Sequence, residues 1–531
     1  MQPHSHHSPV SRHARPSADA HPWVPDKGDG TYRNPVLFAD YSDPDVIRVG
    51  NDFYLTASSF NCVPGLPVLH SKDLVNWTIL GHVFRKYPVQ GYGTPHHGGG
   101  VWAPSLRYRD DEFCVYFGDP DLGIFLSKAG NPAGPWEPLH LVREAKGWID
   151  PCPFWDDDGN AYLVHAWAKS RSGIKNILTI HRMSPDGRTL LDDGTTIFDG
   201  TASHPTIEGP KLYKRNGWYY IFAPAGGVSD GWQTVLRSTN PFGPYEDKIV
   251  LAQGETEING PHQGAWVDTN SGESWFLHFQ DRGAYGRIVH LQPLQWVDDW
   301  PVIGTDEDGD GRGEPVLFYK KPEVGSSSPL TVPQTSDEFD ADKLGLQWQW
   351  QANYEEDWYS LTARPGWLRL FSVPVPGKAV NLWPAPNLLL QKLPGPEFTV
   401  SAKLDFSNLA MGERVGLIMM GMDYSYIAVE RAADGFRLIK AACADANKAG
   451  EEIVEDEATR LGHFAILRIK VKPGAVCAFS YSNDGKKFSA LGESFPAREG
   501  DWIGAKVGLF CLASDEARQS GHADFDWFRF E

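Results

Sequence analysis

The chain has 531 residues, and its 49 Lys and Arg against 68 Asp and Glu give a formal net charge of −19. This length exceeds what one hydrophobic core usually supports, so we expect two domains. The negative charge argues against a nucleic-acid or anionic-membrane partner, and no apolar stretch is long enough to cross a bilayer. The 66 aromatic residues (20 Trp, 19 Tyr and 27 Phe) and the 54 Gly and 40 Pro are typical of an all-β protein with many turns.

Residues 1–32 are rich in Pro, Ser and His, and no apolar signal-peptide core follows Met1. Such a composition predicts a disordered N-terminal tail. Localisation stays open between a protein that remains inside the cell and one that is exported after removal of a signal. The six cysteines are scattered without a CxxC pair, which favours buried free thiols over a disulfide framework or a zinc site.

From residue 33 a pattern of polar turn residues followed by an aromatic-rich strand recurs five times. The copies span residues 50–55, 111–116, 158–164, 216–221 and 271–277. A spacing of roughly 50 to 60 residues is that of one propeller blade of four strands. The sequence therefore predicts a five-bladed β-propeller over residues 33–317.

The character of the chain changes after this region. Residues 318–335 contain Lys320-Lys321-Pro322 and a Gly-Ser-Pro stretch, which predict a linker. From residue 336 to 531, short alternating or apolar segments such as 398–404, 415–420 and 523–530 predict antiparallel strands. We interpret this half as a β-sandwich and expect no helix longer than a few turns.

Three acidic residues stand just upstream of repeat copies in different blades: Asp43 before a Pro, Asp150 before a Pro, and Glu208 before Gly-Pro. A single Asp-Pro pair is more often a turn than a catalytic site. In a propeller, however, the first strand of each blade lines the central channel, so residues far apart in sequence converge there. Three carboxylates in one funnel indicate hydrolysis of a sugar bond. An apolar setting raises the pKa of a carboxyl group, which predicts Glu208 as the proton donor.

The loop 306–311 and His262 are the two candidates for a metal site in the sequence. The loop 306–311 resembles part of a calcium loop but lacks the bidentate Glu expected later, so a solvated turn is the favoured interpretation. His262 heads the fifth predicted blade. The residues alone leave open whether it is a hydrogen-bonded core histidine or a metal contact.

An ordered series of motifs, taken together, resembles glycoside hydrolase family 43. The motifs lie at residues 42–48, 52–60, 71–77, 101–106, 148–151, 207–210 and 286–287, so the resemblance covers nearly all of residues 33–317. The second half resembles the concanavalin-like C-terminal β-sandwich found in the β-xylosidase and α-L-arabinofuranosidase branch of this family.

The resemblance implies an inverting mechanism and assigns roles to individual residues. It implies Asp43 as general base, Glu208 as general acid, and Asp150 as the residue that orients the acid and tunes its pKa. It further implies that Phe60 and Trp102 pack against the terminal sugar, that Arg287 holds its hydroxyls and pairs with the base, and that His262 helps to hold a calcium ion through water. One departure is Cys152-Pro153, directly after the motif at residues 148–151, which would reshape the pocket floor without removing the acid.

These observations predict an exo-acting β-1,4-xylosidase that acts on xylo-oligosaccharides or arabinoxylan, with a second activity on terminal arabinose. The alternatives are an α-L-arabinofuranosidase, an endo-acting arabinanase, or a propeller that binds glycans without cleaving them. Because its aromatic residues are distributed among strands, we interpret the sandwich as a brace and active-site rim instead of a carbohydrate-binding module. The sequence leaves the oligomeric state open.

Overall fold

The computed structural model describes residues 21–325, 328–377, 379–459, 462–513 and 521–531. Within these ranges regular structure is almost entirely β, and the α-helical part is one short helix, α1 (Lys169–Ser172). Short 3-10 turns occur at Gly283–Tyr285, Glu356–Trp358 and Ala446–Lys448. The all-β prediction is therefore confirmed. No helix in the described ranges is long and apolar enough to cross a membrane.

The first strand, β1 (Thr31–Arg33), precedes five four-stranded antiparallel sheets, each built from consecutive strands. The blades, in chain order, are β2 (Asp45–Val49), β3 (Asp52–Thr56), β4 (Gly65–Ser71) and β5 (Trp77–Phe84); β6 (Trp102–Arg109), β7 (Glu112–Asp119), β8 (Gly123–Ala129) and β9 (His140–Glu144); β10 (Trp148–Trp155), β11 (Ala161–Trp167), β12 (Ile177–Met183) and β13 (Thr195–Asp199); β14 (Lys211–Arg215), β15 (Trp218–Ala225), β16 (Trp232–Ser238) and β17 (Glu246–Leu251); β18 (His262–Asp268), β19 (Ser274–Asp281), β20 (Arg287–Val297) and β21 (Trp300–Ile303). The first strands contact one another between blades, as β2 does with β6 and β18. This is the predicted five-bladed propeller.

The two ends of the propeller region meet in a small sheet. β1 pairs antiparallel with β22 (Phe318–Lys320), with Thr31 opposite Lys320. Residues 21–32 are held by side-chain hydrogen bonds to the propeller region. The indole Nε1 of Trp23 donates to the Pro35 carbonyl at 2.8 Å, and the buried Tyr32 hydroxyl donates to the Leu291 carbonyl. Residues 21–32 are thus folded where the sequence predicted a disordered tail, because their aromatic side chains bury apolar surface. The rest of that predicted tail, residues 1–20, lies outside the described residues.

Two facing sheets form the C-terminal half. The first has the order β23-β26-β36-β28-β29-β30-β31, the second β24-β25-β37-β27-β32-β33-β34, and β35 also pairs with β33. Their bounds are β23 (Gln349–Trp350), β24 (Tyr359–Ser360), β25 (Leu368–Phe371), β26 (Leu389–Lys392), β27 (Phe398–Asp405), β28 (Arg414–Met420), β29 (Tyr424–Ala432), β30 (Gly435–Cys443), β31 (Ile453–Thr459), β32 (Phe464–Lys472), β33 (Val476–Ser482), β34 (Ser489–Ala490), β35 (Phe495–Pro496), β36 (Lys506–Leu512) and β37 (His522–Phe530).

The propeller and the sandwich share one hydrophobic core, which runs from first- and second-blade residues such as Val63 and Phe117 to Trp350 and Phe528 of the sandwich. Val63 and Trp350 also exchange backbone hydrogen bonds of 3.0 and 2.6 Å. Val63 lies close in sequence to Phe60, a predicted substrate contact, so the sandwich holds a segment of the site. All six cysteines are buried and free, as predicted.

Candidate active site

A pocket of about 450 Å³ opens where the first strands of the five blades begin. Each blade supplies at least one lining side chain at or just before the start of its first strand, as the propeller topology requires. The pocket brings together all seven residues singled out in the sequence, which are Asp43, Phe60, Trp102, Asp150, Glu208, His262 and Arg287.

Asp43 is buried and held by a network of donors. Its Oδ2 accepts hydrogen bonds from the hydroxyls of Ser42 at 2.9 Å and Ser58 at 2.6 Å, and its Oδ1 lies 3.2 Å from Nη1 of Arg287. The same Arg287 nitrogen donates to the Ser42 hydroxyl at 2.7 Å. Donors and a cation around both oxygens fix the orientation of the Asp43 carboxyl group.

Asp150 lies deeper between the other two acids. Its Oδ2 accepts the backbone N–H of Gly209 at 2.8 Å. Burial and, after it, the negative charges of Glu208 and Asp43 raise the pKa of Asp150 well above its usual range. The sequence predicted that Glu208 would sit where water is scarce, but the structure gives Asp150 the more enclosed position.

Glu208 keeps 30% of its side chain exposed to the pocket, and its Oε1 lies 2.8 Å from Nε2 of the fully buried His262. Its backbone N–H donates to the Pro224 carbonyl at 3.1 Å, which fixes the start of the fourth blade. A glutamate reachable from solvent and anchored through one oxygen leaves its other oxygen free to face a leaving group. This geometry suits a residue that must gain and lose a proton in each turnover.

Aromatic side chains form the walls of the pocket. The ring centroids of Phe60 and Trp102 lie 6.3 Å apart, and Trp102 lies at the same distance from Trp502, a residue of the sandwich. Arg287 stacks over Phe279 on one side and approaches Trp502 on the other, with its guanidinium carbon 4.8 and 5.6 Å from the two ring centroids. Flat apolar walls with one cation and three acids suit the ring faces and hydroxyls of a sugar.

Several pocket residues hold left-handed backbone conformations that non-glycine residues seldom adopt. The φ angles are 55° at Asp43, 51° at Phe60, 56° at Asp150, 36° at Gln263 and 62° at Trp502. Such strain persists only where the surrounding structure imposes it, and it concentrates at functional sites. The pocket is therefore a place where the fold fixes side-chain directions against local preference.

The sequence reasoning missed three contributors to the site. Trp502 closes one side of the pocket, Gln263 lies against Asp150 and Gly209, and Asp40 connects the two domains. Asp40 accepts the backbone N–H of Arg287 at 2.9 Å through Oδ1 and that of Gly504 at 3.0 Å through Oδ2. Gln263 directly follows His262, so the motif that contains His262 could have identified it. No local sequence pattern marks Trp502.

The calcium expectation for His262 can be tested against its surroundings. Its Nδ1 is buried without a hydrogen-bond partner, so the imidazole has one free position. Calcium takes six to eight oxygen ligands. Within the described ranges, the one cluster of three or more His, Cys, Asp or Glu side chains close enough to share an ion is Asp306, Asp308 and Asp310, in the loop predicted as a solvated turn. The side chains at His262 alone do not supply a calcium donor set.

A propeller with three acids and aromatic walls in one pocket is typical of a glycosidase. Such an enzyme cleaves a sugar bond with one residue as proton donor and another as base. Family comparison agrees with this class. The model of glycosyl hydrolases family 43 matches residues 32–301, and that of the β-xylosidase C-terminal concanavalin A-like domain matches residues 336–531. The chain belongs to glycosyl hydrolases family 43.

Individual relatives extend over almost the whole chain. A putative β-xylosidase of Xylanibacter ruminicola is 43% identical over 518 residues, which cover 96% of this chain and 92% of the relative. A non-reducing end α-L-arabinofuranosidase of Bacteroides ovatus is 29% identical over 94% of both chains. The solved structure of a xylan β-1,4-xylosidase from Bacillus halodurans superposes with a TM-score of 0.83 at 25% identity, covering 94% of this chain and 99% of that one.

Proposed function

We propose that the protein is an exo-acting, inverting β-1,4-xylosidase that releases terminal xylose from xylo-oligosaccharides. The observation that carries this proposal is the pocket itself, in which Arg287 and two hydroxyls contact the carboxyl group of Asp43, while Glu208 stays open to solvent. The similarity to a putative β-xylosidase over nearly the full length supports xylose as the sugar.

In this mechanism Glu208 protonates the glycosidic oxygen as the bond to the sugar breaks. Asp43 takes a proton from a water molecule that attacks the anomeric carbon from the opposite face. Asp150 is a positioning residue beside Glu208. Burial and the charges of Glu208 and Asp43 raise the pKa of Asp150, so two negative charges on Asp150 and Glu208 together are unfavourable. Arg287 and Ser42 hold the base in place, and Phe60 and Trp102 receive the sugar ring.

The exo mode is supported by the way the sandwich closes the pocket. Trp502 lines the cavity together with the propeller residues, and Gly504, two residues later, is hydrogen-bonded to Asp40 of the propeller. A wall on this side leaves room for a chain end and obstructs a chain that runs through. This argues against an endo-acting arabinanase, which needs an open cleft.

A time course on xylobiose, followed by NMR of the newly released sugar, tests the proposal. Xylose that appears first as the α-anomer establishes inversion at a β-xyloside. Retained configuration contradicts the role of Asp43 as base. Tight calorimetric binding of intact xylobiose without any product would instead identify a glycan-binding propeller.

A second activity on α-L-arabinofuranosides is the other candidate, and it is favoured by the similarity to the B. ovatus arabinofuranosidase. Terminal xylose and arabinose can present similar hydroxyls to one pocket. The relative kcat/KM on xylobiose and on an arabinose-decorated xylo-oligosaccharide decides between them. Release of arabinose alone, first seen as the β-anomer, would keep the mechanism and change the substrate.

Calcium bound through water near His262 stays a prediction, and no step of the mechanism depends on it. Metal analysis of the protein before and after treatment with a chelator, together with the melting temperature of both samples, tests it. Bound calcium whose removal lowers the melting temperature would support the prediction. If the protein contains no calcium and the chelator leaves its melting temperature unchanged, the prediction is wrong.

A further inference from the structure

A second cavity, of about 710 Å³, lies at the junction of the N-terminal segment, the first blade and the sandwich. It is separate from the active-site pocket, and the two share no lining residue. Among the described residues that line it, none is Asp or Glu, although acidic residues outnumber basic ones in the chain by 68 to 49. Its charged or chargeable groups are a lysine and two histidines, Lys392, His21 and His82.

Lys392 is the cation of this cavity, and it faces a second lysine. In the pairing of β26 with β36 it lies directly opposite Lys506, whose ammonium contacts Sγ of Cys62 at 3.0 Å and Oε1 of Gln349 at 3.3 Å. Within the described ranges no ion pair joins either lysine to a carboxylate. Burial, and then the charge of Lys506, lower the pKa of Lys392 to about 8, and the negative charge of Asp40 acts in the opposite direction. Like charges opposite each other across a strand pair are unfavourable, so an anion here would relieve repulsion.

Gln391, the residue before Lys392, adds no donor to the cavity. Its side-chain amide nitrogen is enclosed by protein, and consecutive residues of a strand point to opposite faces of the sheet. His82 stays uncharged because burial lowers its pKa to about 3.

The remaining walls are largely apolar. Trp23, Tyr41, Ile79 and Leu346 contribute aromatic and aliphatic surface, together with several prolines. The ammonium of Lys392 lies 5.1 Å from the ring centroid of Tyr41, so the cation sits at the edge of this surface. A site with one cation and largely apolar walls fits a molecule with an apolar ring and a single carboxylate.

We propose that this interdomain cavity binds a small aromatic monocarboxylate, with the carboxylate against Lys392 and the ring against the apolar walls. The bound molecule would also contact the segment that carries the proposed base, since Ala39 and Tyr41 line the cavity and Asp43 follows two residues later. Between them Asp40 holds the backbone of Arg287. Binding is therefore expected to change kcat without displacing the sugar.

Isothermal titration calorimetry of the full chain with benzoate, and with uncharged benzamide of the same shape, tests the proposal. Benzoate should bind in the presence of saturating xylose and more tightly than benzamide. Lys392→Met, which keeps the apolar stem, should weaken benzoate by at least about tenfold and leave benzamide unchanged, since a charge-assisted hydrogen bond is lost. Lys392→Arg should retain binding, and Lys472→Met, at an exposed lysine in the same domain, should behave as the unmodified chain.

A soaked crystal gives a second readout that does not depend on a variant. With 4-bromobenzoate, an anomalous bromine peak is expected inside this cavity. Absence of benzoate heat at millimolar concentration would overturn the proposal, as would displacement of benzoate by xylose or a bromine peak only beside Arg287. None of these outcomes bears on xylobiose hydrolysis, so the two proposals fail separately.

Discussion

Asp43 and Glu208 line the same pocket, but the chain surrounds them differently. Asp43 has 5% of its side chain exposed and accepts from Ser42, Ser58 and Arg287. Glu208 has 30% exposed and contacts one side chain, His262, through one oxygen. The first environment surrounds both carboxyl oxygens with donors and fixes their orientation, and the second leaves one carboxyl oxygen open to the pocket. This difference in surroundings matches the roles proposed for the two residues, Asp43 as base and Glu208 as acid.

The largest effect is expected from Asp43→Asn. The variant loses the proposed base and leaves Arg287 without its carboxyl partner, so kcat/KM should fall by about 10²- to 10⁴-fold. The loss should be similar on xylobiose and on a xyloside with an activated aryl leaving group, because both need the attacking water. Steady-state kinetics on both substrates measures it, with Asp110→Asn at an exposed position as control. A loss confined to xylobiose would contradict the assignment.

Glu208→Gln should separate the acid from the base. On xylobiose, kcat/KM should fall by about 10²- to 10⁴-fold, since the leaving sugar oxygen needs a proton. On an aryl xyloside with a good leaving group the loss should be much smaller, because that group departs without one. The matched control is Glu307→Gln in an exposed loop. Near-normal activity on xylobiose would show that another residue is the acid.

Trp502→Ala tests whether the sandwich completes the pocket. Trp502 is 51% exposed in the absence of sugar and lies beside Trp102 and Arg287. Losing this surface should raise KM for xylobiose by about tenfold, equivalent to about 1.4 kcal/mol, and change kcat less. Phe464→Ala, at an exposed aromatic elsewhere in the sandwich, should leave KM unchanged. If both variants keep the original KM, the sandwich is a brace alone.

Much of the architecture follows from local patterns in the sequence. The turn-and-strand repeats predict five blades because each blade is a unit of consecutive strands, and the propeller topology then brings the starts of their first strands together. Asp43, Asp150 and Glu208 converge for that reason alone. The same logic places Trp102 at the start of β6 and His262 at the start of β18.

The parts that the sequence could not predict depend on packing between distant segments. Trp502 reaches the pocket because the sandwich docks on the propeller through the shared core and through Asp40, and no periodicity in residues 499–504 marks this contact. The raised pKa at Asp150 depends on three-dimensional depth, which the Pro residues next to the acids do not reveal. Residues 21–32 fold because Trp23 and Tyr32 find apolar partners far along the chain.

The smallest expected effect is a change in the stability of the folded protein when Asp150 is replaced. Because the folded-state pKa of Asp150 is raised from 3.8, the native state holds a proton that the unfolded chain releases above that pH. Asp150 therefore lowers the stability of the folded state progressively as pH rises from its unfolded pKa to its folded one.

The Asp150→Asn variant lacks this penalty. Its melting temperature should match that of the unmodified chain below pH 3.8 and exceed it at higher pH. Calorimetric melting of both proteins across the acidic to neutral range measures the difference. A variant that is less stable at neutral pH than at acidic pH, relative to the unmodified chain, would show that the fold favours the anionic form of Asp150, with Lys211 as the cation that lowers its pKa.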